Sequence, residues 1–529
     1  MSHFERLALL VLGLLLFLPG IASRDLWNPD EPRYAEVARE MRASGDYLVP
    51  HLNGRIYAEK PPLLFWLIAA SSLATGGVNE ISARLPSLVA SIVVLFALFG
   101  TARRLFNRRV AWWSTLALAT SGRILWQGRV GQIDMLLLAL VSLAMYFFVR
   151  GWTEERPRFF RLFFFAAGLG TLAKGPVALL PALFSIVLFA FATGEKRRLR
   201  EVGFGIGLAI WAAVALAWLV PAALFGGGAY LETLLVKQNL TRFADPWHHF
   251  QPPYYYLTTI PADYFPWSFF LPGAIWAGWR RSSGSDRRGF MFALCWATAT
   301  LLFFSLSPAK RTVYVLQMFP ALALMTAFLF SEVERSGARF KAYLTVPAAL
   351  LVTLFALGPL ALPRIFERHP ELEVLGPDLI WWVGALLAIL AAGSAWALAS
   401  AAAVRPAQVV AGLAAGMSIA SLLTAVVILP RFDLLKSARP MAEALLQRSS
   451  PAEPYAIYPR LDPSFLIYTR RFCELPAGEK ELRAWIARPG RRWLLIKKPE
   501  LRNLNPPLPL EELQRDQDPE EGYVLLTRN

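Results

Sequence analysis

Carboxylates suited to acid–base chemistry lie in three short polar segments between long apolar runs. Asp30 lies in Asn-Pro-Asp-Glu-Pro-Arg-Tyr-Ala-Glu, Glu59 and Lys60 follow Tyr57-Ala, and Asp134 ends Gly-Arg-Val-Gly-Gln-Ile-Asp. A carboxylate can take a proton from a hydroxyl group as a general base. Structural roles stay open at this point, because Asp30 and Asp134 could cap helices and Glu59 could form a local ion pair with Lys60.

Cations and histidines occur in three further segments. Lys174 precedes Gly-Pro, Lys310 and Arg311 lie in Ser-Pro-Ala-Lys-Arg-Thr-Val-Tyr, which ends at Tyr314, and His249 is the second histidine of Asp-Pro-Trp-His-His-Phe-Gln-Pro. A lysine at the end of an apolar helix either binds an anion or extends its ammonium group to lipid headgroups, and we favour anion binding. A loop histidine is either a metal ligand or has no chemical role.

The composition predicts a membrane protein. Of 529 residues, 56% are hydrophobic and 17% are charged, whereas soluble domains carry roughly a quarter charged residues. The formal net charge is +16, but the basic residues cluster between apolar runs. That distribution is typical of topology signals and argues against a nucleic-acid partner. The two cysteines, Cys295 and Cys473, cannot build a disulfide framework.

The apolar runs predict an α-helical polytopic fold with about thirteen transmembrane helices, each able to cross roughly 30 Å of hydrocarbon. The predicted spans lie near residues 5–23, 84–102, 110–124, 133–149, 159–173, 177–193, 203–225, 264–279, 290–306, 313–330, 342–362, 378–399 and 407–429. Clusters of arginine and lysine then fall on one side, which the positive-inside rule makes cytoplasmic. The polar segments and the C-terminal tail lie on the opposite, outer side.

Two short helices are predicted on the outer face beside the membrane. Apolar residues recur at helical spacing from Tyr34 to Met41, with charged residues between them, which indicates an amphipathic helix on the membrane surface. The apolar run 62–75 starts at the proline pair 61–62 and is short for a span. Counting it as a span would also break the charge asymmetry, so we predict that it lies at the outer interface.

From about residue 431 the apolar runs shorten to the length of strands. These runs are Tyr455–Tyr458, Phe465–Tyr468, Trp493–Ile496 and Tyr523–Leu526. Helical patterns lie between them, at Met441–Gln447 and Glu479–Ala487. The chain is therefore predicted to divide into a transmembrane domain, residues 1–430, and a small extracytoplasmic α/β domain, residues 431–529.

The acids, cations and histidines all map to one membrane face in this topology. Breaking the bond between a sugar and a polyprenyl phosphate leaves a phosphate, whose growing charge needs cations or a metal ion. The acceptor hydroxyl needs a base. The combination favours a glycosyltransferase. A lipid-linked sugar transporter would use the same outer cations, but it would also need polar sites at the midplane or the cytoplasmic side, and the spans offer few.

The segments on the outer face resemble the aminoarabinose transferase branch of the membrane glycosyltransferases with the C-type fold. That superfamily also contains protein O-mannosyltransferases. The resemblance covers about the first 430 residues and is most specific in Pro-Asp-Glu-Pro-Arg-Tyr-Ala-Glu at 29–36, Ser-Gly-Asp at 44–46, Pro-His-Leu at 50–52 and Tyr-Ala-Glu-Lys-Pro at 57–61.

The resemblance implies roles for individual residues. Asp30 is similar to the family's catalytic aspartate of the first loop, and Asp134 to its second acid. Lys60 is similar to the lysine beside the lipid phosphate. Glu59 and His249, the latter in His-x-x-Pro-x-x-Tyr-Tyr, are similar to the residues that hold a divalent metal, for which zinc is the expected ion. The residues expected to bind substrate are Tyr57, Lys60, Lys174, Lys310, Arg311 and Tyr314.

One departure concerns the family's Ser-Lys-x-x-x-Tyr segment, because Pro308 and Ala309 are inserted here between the serine and Lys310. The resemblance implies an inverting glycosyltransferase of the inner membrane that works among membrane lipids on an undecaprenyl phosphate-linked sugar. Lipid A is the family's best-known acceptor, and another glycolipid or a protein are the alternatives.

Overall fold

The structure is a computed structural model that describes residues 1–235, 250–518 and 522–528. Up to residue 235 the longer α-helices are α1 His3–Phe17, α2 Glu31–Ser44, α3 Leu63–Ala74, α4 Glu80–Leu105, α5 Arg108–Ala119, α6 Gly122–Gln127, α7 Ile133–Glu154, α8 Pro157–Lys174, α9 Leu180–Ala192 and α10 Phe204–Leu231. From residue 250 they are α11 Tyr255–Asp263, α12 Leu271–Arg281, α13 Gly284–Leu306, α14 Phe319–Ser336, α15 Ala342–Arg368, α16 Leu379–Ala402, α17 Pro406–Leu423, α18 Arg439–Arg448, α19 Pro463–Thr469, α20 Glu479–Ala487 and α21 Lys498–Asn503.

Among the described residues, eight helices are long and apolar enough to cross a membrane. They comprise α4, α7, α13, α15, α16 and three longer helical runs that contain α10, α14 and α17. Every predicted span overlaps a helical segment, but the span 110–124 is divided between α5 and α6, and the span 264–279 begins in a turn before α12. The remaining helices are shorter or more charged than these eight. The prediction of a helical, multi-pass membrane protein is therefore confirmed, while the number of thirteen spans stays a prediction.

Close packing of small residues allows the membrane helices to approach one another. A Cβ atom on Gly393 of α16 would lie 2.8 Å from the carbonyl oxygen of Gly412 in α17. Only glycine permits that approach of two backbones, which is a common way to pack helices in lipid. The helix α7 packs against both α4 and α8, so the start of α7 and the end of α8 lie side by side.

The helix α2 is present where the sequence predicts it, but its surroundings differ from the prediction. It packs against α3 and α19, and the side chains of Glu36 and Glu40 are buried instead of facing solvent. Glu40 accepts hydrogen bonds from the backbone of Asn53 and Gly54, in the turn between strands β1 His51–Leu52 and β2 Arg55–Ile56. The charged side of α2 therefore contacts protein.

A four-stranded sheet forms towards the end of the chain, with the order β3-β4-β6-β5. Its strands are β3 Tyr455–Tyr458, β4 Arg492–Lys497, β5 Glu511–Arg515 and β6 Tyr523–Arg528. Strands β3 and β4 are parallel, and the other pairs are antiparallel. The helices α18 and α19 share one hydrophobic cluster with Ile457 and Leu495, and α20 shares another with Ala456 and Leu494. Because side chains alternate along a strand, these clusters lie on opposite faces of the sheet.

One prediction for this region is wrong, and one strand was not predicted. The run Phe465–Tyr468 was expected to be a strand but lies in α19, because Asp462 caps the helix by accepting a hydrogen bond from Ser464 and Pro463 occupies its first position. A short apolar run does not distinguish a buried strand from a buried helix. The sequence also missed β5, an exposed edge strand without an apolar pattern.

Candidate active site

A cavity of about 110 Å³ lies where the start of α7, the end of α8 and the 3₁₀ turn Thr312–Met318 meet the first loop. Apolar residues from α7 and α13 form part of its wall. Its polar lining includes Tyr34, Lys60, Asp134, Lys174, Arg311, Tyr314 and Gln317. The structure thus brings together five of the residues predicted to be functional, from segments more than 200 residues apart in the chain.

Asp30 lies beside this cavity, at the position immediately before α2. Its side chain makes no capping hydrogen bond to that helix, so the structural role of a helix cap is not realised. The carboxylate instead accepts a hydrogen bond from Nε2 of Gln132 at 3.1 Å and pairs with Nη2 of Arg311 at 3.3 Å. The side chain is buried, so these two contacts fix the position of the carboxylate.

Asp134 also has a role other than capping. The cap position of α7 is Gln132, and Asp134 follows in the first turn. Its carboxylate pairs with the ammonium group of Lys174 at the end of α8, and that ammonium group lies 4.7 Å from the ring centroid of Tyr314. The ion pair and the aromatic ring together fix Lys174 in the wall of the cavity.

Glu31 anchors the segment that carries Asp30. Its buried carboxylate lies between Arg24, at 2.6 Å, and Arg84 of α4, at 2.8 Å, and it accepts a hydrogen bond from the backbone of Gly131 at 2.8 Å. Burial by itself would raise the pKa of Glu31, but the two guanidinium groups outweigh burial and lower that pKa to about 2. The anchor therefore stays charged, and it joins the start of α2 to the chain that leads into α7.

The segment Tyr57–Lys60 approaches the same region from the other side of the first loop. The hydroxyl of Tyr57 donates to Oε2 of Glu59 at 3.4 Å, and Nη1 of Arg33 lies 3.5 Å from the same oxygen. Burial and the nearby Glu59 raise the pKa of Tyr57, so the phenol stays protonated and serves as a donor. The ammonium group of Lys60 donates to the backbone carbonyl of Glu59 at 3.0 Å and also lines the cavity.

The structure describes only one of the two predicted metal ligands. Glu59 has a half-exposed side chain that faces Arg33 and Tyr57, whereas His249 lies outside the described residues. Within residues 1–235, 250–518 and 522–528, no group of three or more histidine, cysteine, aspartate or glutamate side chains is arranged to hold a metal ion. Glu59 would have to share its carboxylate between a cation and the Arg33 guanidinium.

The side chains of the adjacent residues Lys310 and Arg311 contact different parts of the structure. The ammonium group of Lys310 is buried and donates to the carbonyl oxygens of Gln251, at 3.1 Å, and Ser307, at 2.5 Å. It holds the turn together, while Arg311 lines the cavity and contacts Asp30. The sequence alone treated the two cations as one site.

Sequence reasoning missed two glutamines of this site. Gln132 donates to Asp30. Gln317 lines the cavity with 2% of its surface exposed, and neither its amide nitrogen nor its amide oxygen has a hydrogen-bond partner among the described residues. A neutral amide inside an apolar span was the available signal, because polar groups in such spans are costly unless they have a function.

A buried carboxylate beside a cationic cavity, carried on a bundle of membrane helices with a small sheet at the end of the chain, defines an integral-membrane glycosyltransferase. Residues 59–223 match the family model described as dolichyl-phosphate-mannose-protein mannosyltransferase. The undecaprenyl phosphate-alpha-4-amino-4-deoxy-L-arabinose arabinosyl transferase of Pectobacterium carotovorum is 31% identical over 75% of this chain and 73% of its own length. The enzyme of that name from Aeromonas hydrophila is also 31% identical, over 74% of this chain and 71% of its own length.

Comparison with solved structures shows that the fold is also similar. The crystal structure of ArnT from Cupriavidus metallidurans bound to undecaprenyl phosphate superimposes with a TM-score of 0.81 at 20% identity, covering 100% of this chain and 98% of that chain. Its apo structure gives a TM-score of 0.82 at 21% identity, covering 99% of this chain and 97% of that chain. The chain belongs to the family of undecaprenyl phosphate-aminoarabinose arabinosyl transferases.

Proposed function

We propose that this protein transfers a sugar, 4-amino-4-deoxy-L-arabinose or a close analogue, from undecaprenyl phosphate to lipid A or a related glycolipid. The observation that carries the proposal is the buried Asp30 carboxylate, which pairs at 3.3 Å with Arg311 of the cationic cavity. The proposed base therefore lies beside the cations that are proposed to bind the donor phosphate. The donor is proposed from the names of the relatives, which specify undecaprenyl phosphate-linked 4-amino-4-deoxy-L-arabinose.

The reaction needs one proton transfer and one displacement at the anomeric carbon. The acceptor hydroxyl gives its proton to an Oδ atom of Asp30, and its oxygen forms the new bond to C1 of the sugar. The bond between C1 and the phosphate oxygen breaks, and the electron pair stays on undecaprenyl phosphate. Attack from the face opposite the phosphate inverts the anomeric carbon.

The cations of the cavity stabilise the leaving group. The charge of the donor phosphate grows as the glycosidic bond breaks, and preorganised cations bind the product phosphate more tightly than the starting diester. Lys60, Lys174 and Arg311 are the cations that line the cavity. The amide of Gln317 lines the same cavity, and neither its nitrogen nor its oxygen has a hydrogen-bond partner among the described residues, which suits hydroxyl or amino groups of the sugar.

The proposal also includes a divalent metal ion, with zinc as the first candidate, that Glu59 and His249 would bind. Carboxylate oxygen and imidazole nitrogen are ligands that zinc accepts. When bound, the ion would supply positive charge for the phosphate. Because Glu59 pairs with Arg33 in this structure, the catalytic roles of Asp30 and the cavity cations are derived without the metal.

The proposal includes the topology of the chain. About thirteen spans would carry the active site and residues 431–529 to the extracytoplasmic side of the inner membrane, because the basic clusters between helices then face the cytoplasm. The polyprenyl chain of the donor would lie in the bilayer beside the cavity.

The proposal can be tested directly by incubating the purified enzyme with undecaprenyl phosphate-aminoarabinose and lipid A. Mass spectrometry should show lipid A that has gained the sugar, with undecaprenyl phosphate released in equal amount. Proteins of the cell envelope are the second acceptor to test, because residues 59–223 match a protein mannosyltransferase model. Transfer to water alone, or no use of any undecaprenyl phosphate donor, would contradict the proposal.

A further inference from the structure

One ion pair near the active-site cavity joins three separate segments of the chain. Arg123 lies in α6, Asp263 ends α11, and Thr312 begins the 3₁₀ turn Thr312–Met318. The guanidinium of Arg123 donates from Nε to Oδ1 of Asp263 at 2.9 Å, and its Nη2 donates to the same oxygen and to the hydroxyl of Thr312 at 3.0 Å. None of these three residues lines the cavity, so any effect on a bound donor has to be indirect.

The bond to Thr312 does more than join α6 to α11. The backbone of Gly122 already donates to the carbonyl of Phe265 at 2.9 Å, and the pair of Arg123 with the buried Asp263 fastens the same two parts of the chain. The contact to Thr312 adds the 3₁₀ turn to this assembly. Because a guanidinium fork bound to a carboxylate has a fixed direction, it holds its third partner in a defined place.

Thr312 directly follows Arg311, the cation that contacts Asp30. On the other side of Arg311, the ammonium group of Lys310 donates to two backbone carbonyls. The chain is therefore held immediately before and immediately after Arg311. A long arginine side chain places its charge reproducibly only when its backbone is fixed, and an error of about 1 Å near a reacting centre can cost roughly 10²-fold in rate.

Arg123 also relates the two groups that hold the proposed base. Gln132 lies nine residues after Arg123 in the chain. Gln132 donates to Oδ2 of Asp30 at 3.1 Å, and Arg311 contacts the same oxygen at 3.3 Å. Arg123 belongs to the segment that leads to Gln132, and through Thr312 it holds the turn that carries Arg311. The position of the carboxylate between these two donors therefore depends on this link.

We propose that Arg123 is a positioning residue for the transfer reaction. Held by Asp263, it fixes Thr312 so that the guanidinium of Arg311 stays between Asp30 and the cavity. It acts through Arg311 and does not touch the reacting atoms. This inference rests on the proposed glycosyl transfer and adds a residue to its machinery. The alternative role, stabilisation of the fold alone, predicts different results for variants of Thr312.

The first test changes Thr312 and leaves the ion pair intact. Thr312→Val removes the hydroxyl and keeps the shape of the side chain, whereas Thr312→Ser keeps the hydroxyl. With the full-length enzyme in detergent, kcat for transfer to lipid A should fall about tenfold for T312V and stay near the wild-type value for T312S. Thr153→Val is the matched control, because the hydroxyl of Thr153 bonds a carbonyl within α7. Equal kcat for T312V and T312S overturns the proposal.

The second test determines whether the effect passes through Arg311. The probe is undecaprenyl phosphate, whose affinity is measured for the wild type, T312V, Arg311→Ala and the double variant. Lys60 and Lys174 still line the cavity in R311A, so binding stays measurable. T312V should weaken binding about fivefold when Arg311 is present and less than about twofold when it is absent, because coupled residues have non-additive effects. Equal loss in both backgrounds, or loss in neither, overturns the proposal.

Arg123 itself is tested by Arg123→Lys, which keeps a positive charge beside Asp263 and does not leave a buried carboxylate without compensation. A shorter ammonium group replaces the fork that reaches Thr312. We therefore expect kcat to fall about tenfold in R123K, and we expect T312V to lower it no further in the double variant. Melting curves show whether the variants stay folded. Wild-type kcat in R123K, or a further tenfold loss in the double variant, overturns the link between Arg123 and Thr312.

Binding and transfer together separate this proposal from the proposed function. If the effect of T312V on binding of undecaprenyl phosphate depends on Arg311, but the wild type transfers no sugar to any acceptor, glycosyl transfer fails and the positioning of Arg311 stands. If transfer occurs and T312V matches the wild type in kcat and in affinity, the positioning role fails alone.

Discussion

At the scale of residues, the reactivity of Asp30 depends on two neighbours that come from other parts of the chain. Gln132 and Arg311 both contact its carboxylate, which keeps it oriented before an acceptor arrives. A carboxylate used as a base has to be ionised and fixed within hydrogen-bond reach of the proton that it takes. In the proposed reaction, Lys60, Lys174 and Arg311, which line the cavity, would provide positive charge where the phosphate departs.

Asp30→Asn should remove activity while the protein stays folded. The amide keeps the shape of the side chain but cannot accept the acceptor proton, and loss of a general base costs about 10²–10⁴-fold in rate. The measurement is kcat for transfer to lipid A, with the melting temperature as a check on folding. Asp286→Asn is the matched control, because Asp286 pairs with Arg335 away from the cavity. Full activity of D30N would exclude Asp30 as the base.

Gln317→Met should weaken binding of the sugar and not of the lipid phosphate. Methionine has a similar volume but no amide, so the two hydrogen bonds that Gln317 can offer are lost, and KM for the donor should rise about tenfold. Undecaprenyl phosphate without a sugar should inhibit the variant and the wild type equally. Gln408→Met, at the start of α17, is the control. A parallel loss of inhibition by the sugar-free lipid would show that Gln317 acts on the phosphate or on folding.

Glu59→Gln and His249→Ala should each lower bound zinc and transfer activity together if these side chains share a divalent ion. D30N should retain the metal, because Asp30 contacts Gln132 and Arg311. Elemental analysis of the purified variants, beside the transfer assay, checks both expectations. A wild type that contains no metal and keeps its activity in a chelator would leave Lys60, Lys174 and Arg311 to stabilise the phosphate alone.

At the scale of elements, the start of α2 is held by charge more than by capping. Glu31 connects α2 to α4 through Arg84, to the end of the first span through Arg24, and to the segment before α7 through Gly131. Such a buried network is destabilising when one partner is removed, because the remaining charges are left without compensation. Because Asp30 directly precedes Glu31 in the chain, the same contacts also hold its backbone in place.

The Glu31 network makes stability depend on pH in a defined direction. The pKa of Glu31 is about 2 in the folded protein against an ordinary value of 4.5, so its contribution is complete above pH 4.5 and is lost as the pH falls towards 2. The wild type should therefore melt several degrees above Glu31→Gln at pH 7, and the difference should shrink below pH 4.5. Melting curves in detergent at several pH values measure it. A difference that does not change with pH would exclude the charged network as its source.

At the scale of the whole molecule, the C-terminal part of the chain directly contacts the loop that carries Asp30. Asp462 accepts a hydrogen bond from Asn28 at 2.8 Å, the hydroxyl of Tyr468 accepts one from the backbone of Leu26 at 2.7 Å, and Asp433 accepts one from Trp27 at 2.6 Å. These contacts hold the residues immediately before Asp30. Residues far along the chain thereby help to position the base.

Reporters fused after Asn529 and inserted near Ser283 should lie on opposite sides of the membrane. The arginine clusters on either side of Ser283 favour the cytoplasm, and the predicted span count brings the C-terminus outside. Labelling with a reagent that does not cross the membrane distinguishes the two sides in intact cells. A cytoplasmic C-terminus would show that the span count is wrong and would separate the C-terminal part from the extracytoplasmic face.

The sequence by itself determined the helical, multi-pass membrane fold, three of the four strands of the terminal sheet and most of the polar residue types that line the cavity. Hydropathy and periodicity are local properties, so the span near residues 133–149 and the strand in Trp493–Ile496 follow from neighbouring residues alone. The polar segments that hold Asp30, Lys60 and Asp134 also follow, because ionisable groups at the ends of apolar helices are rare unless they have a function.

Only the tertiary structure decided what those side chains contact. Asp134 and Lys174 are 40 residues apart in the chain and form one ion pair, while the adjacent Lys310 and Arg311 have different partners. The partners of a charge depend on which distant segments pack beside it, and no local pattern records that. The helix at Phe465–Tyr468 has a local cause instead, because Asp462 caps it and Pro463 occupies its first position. Packing and capping by distant or neighbouring groups outweigh the weak preference of a short apolar run.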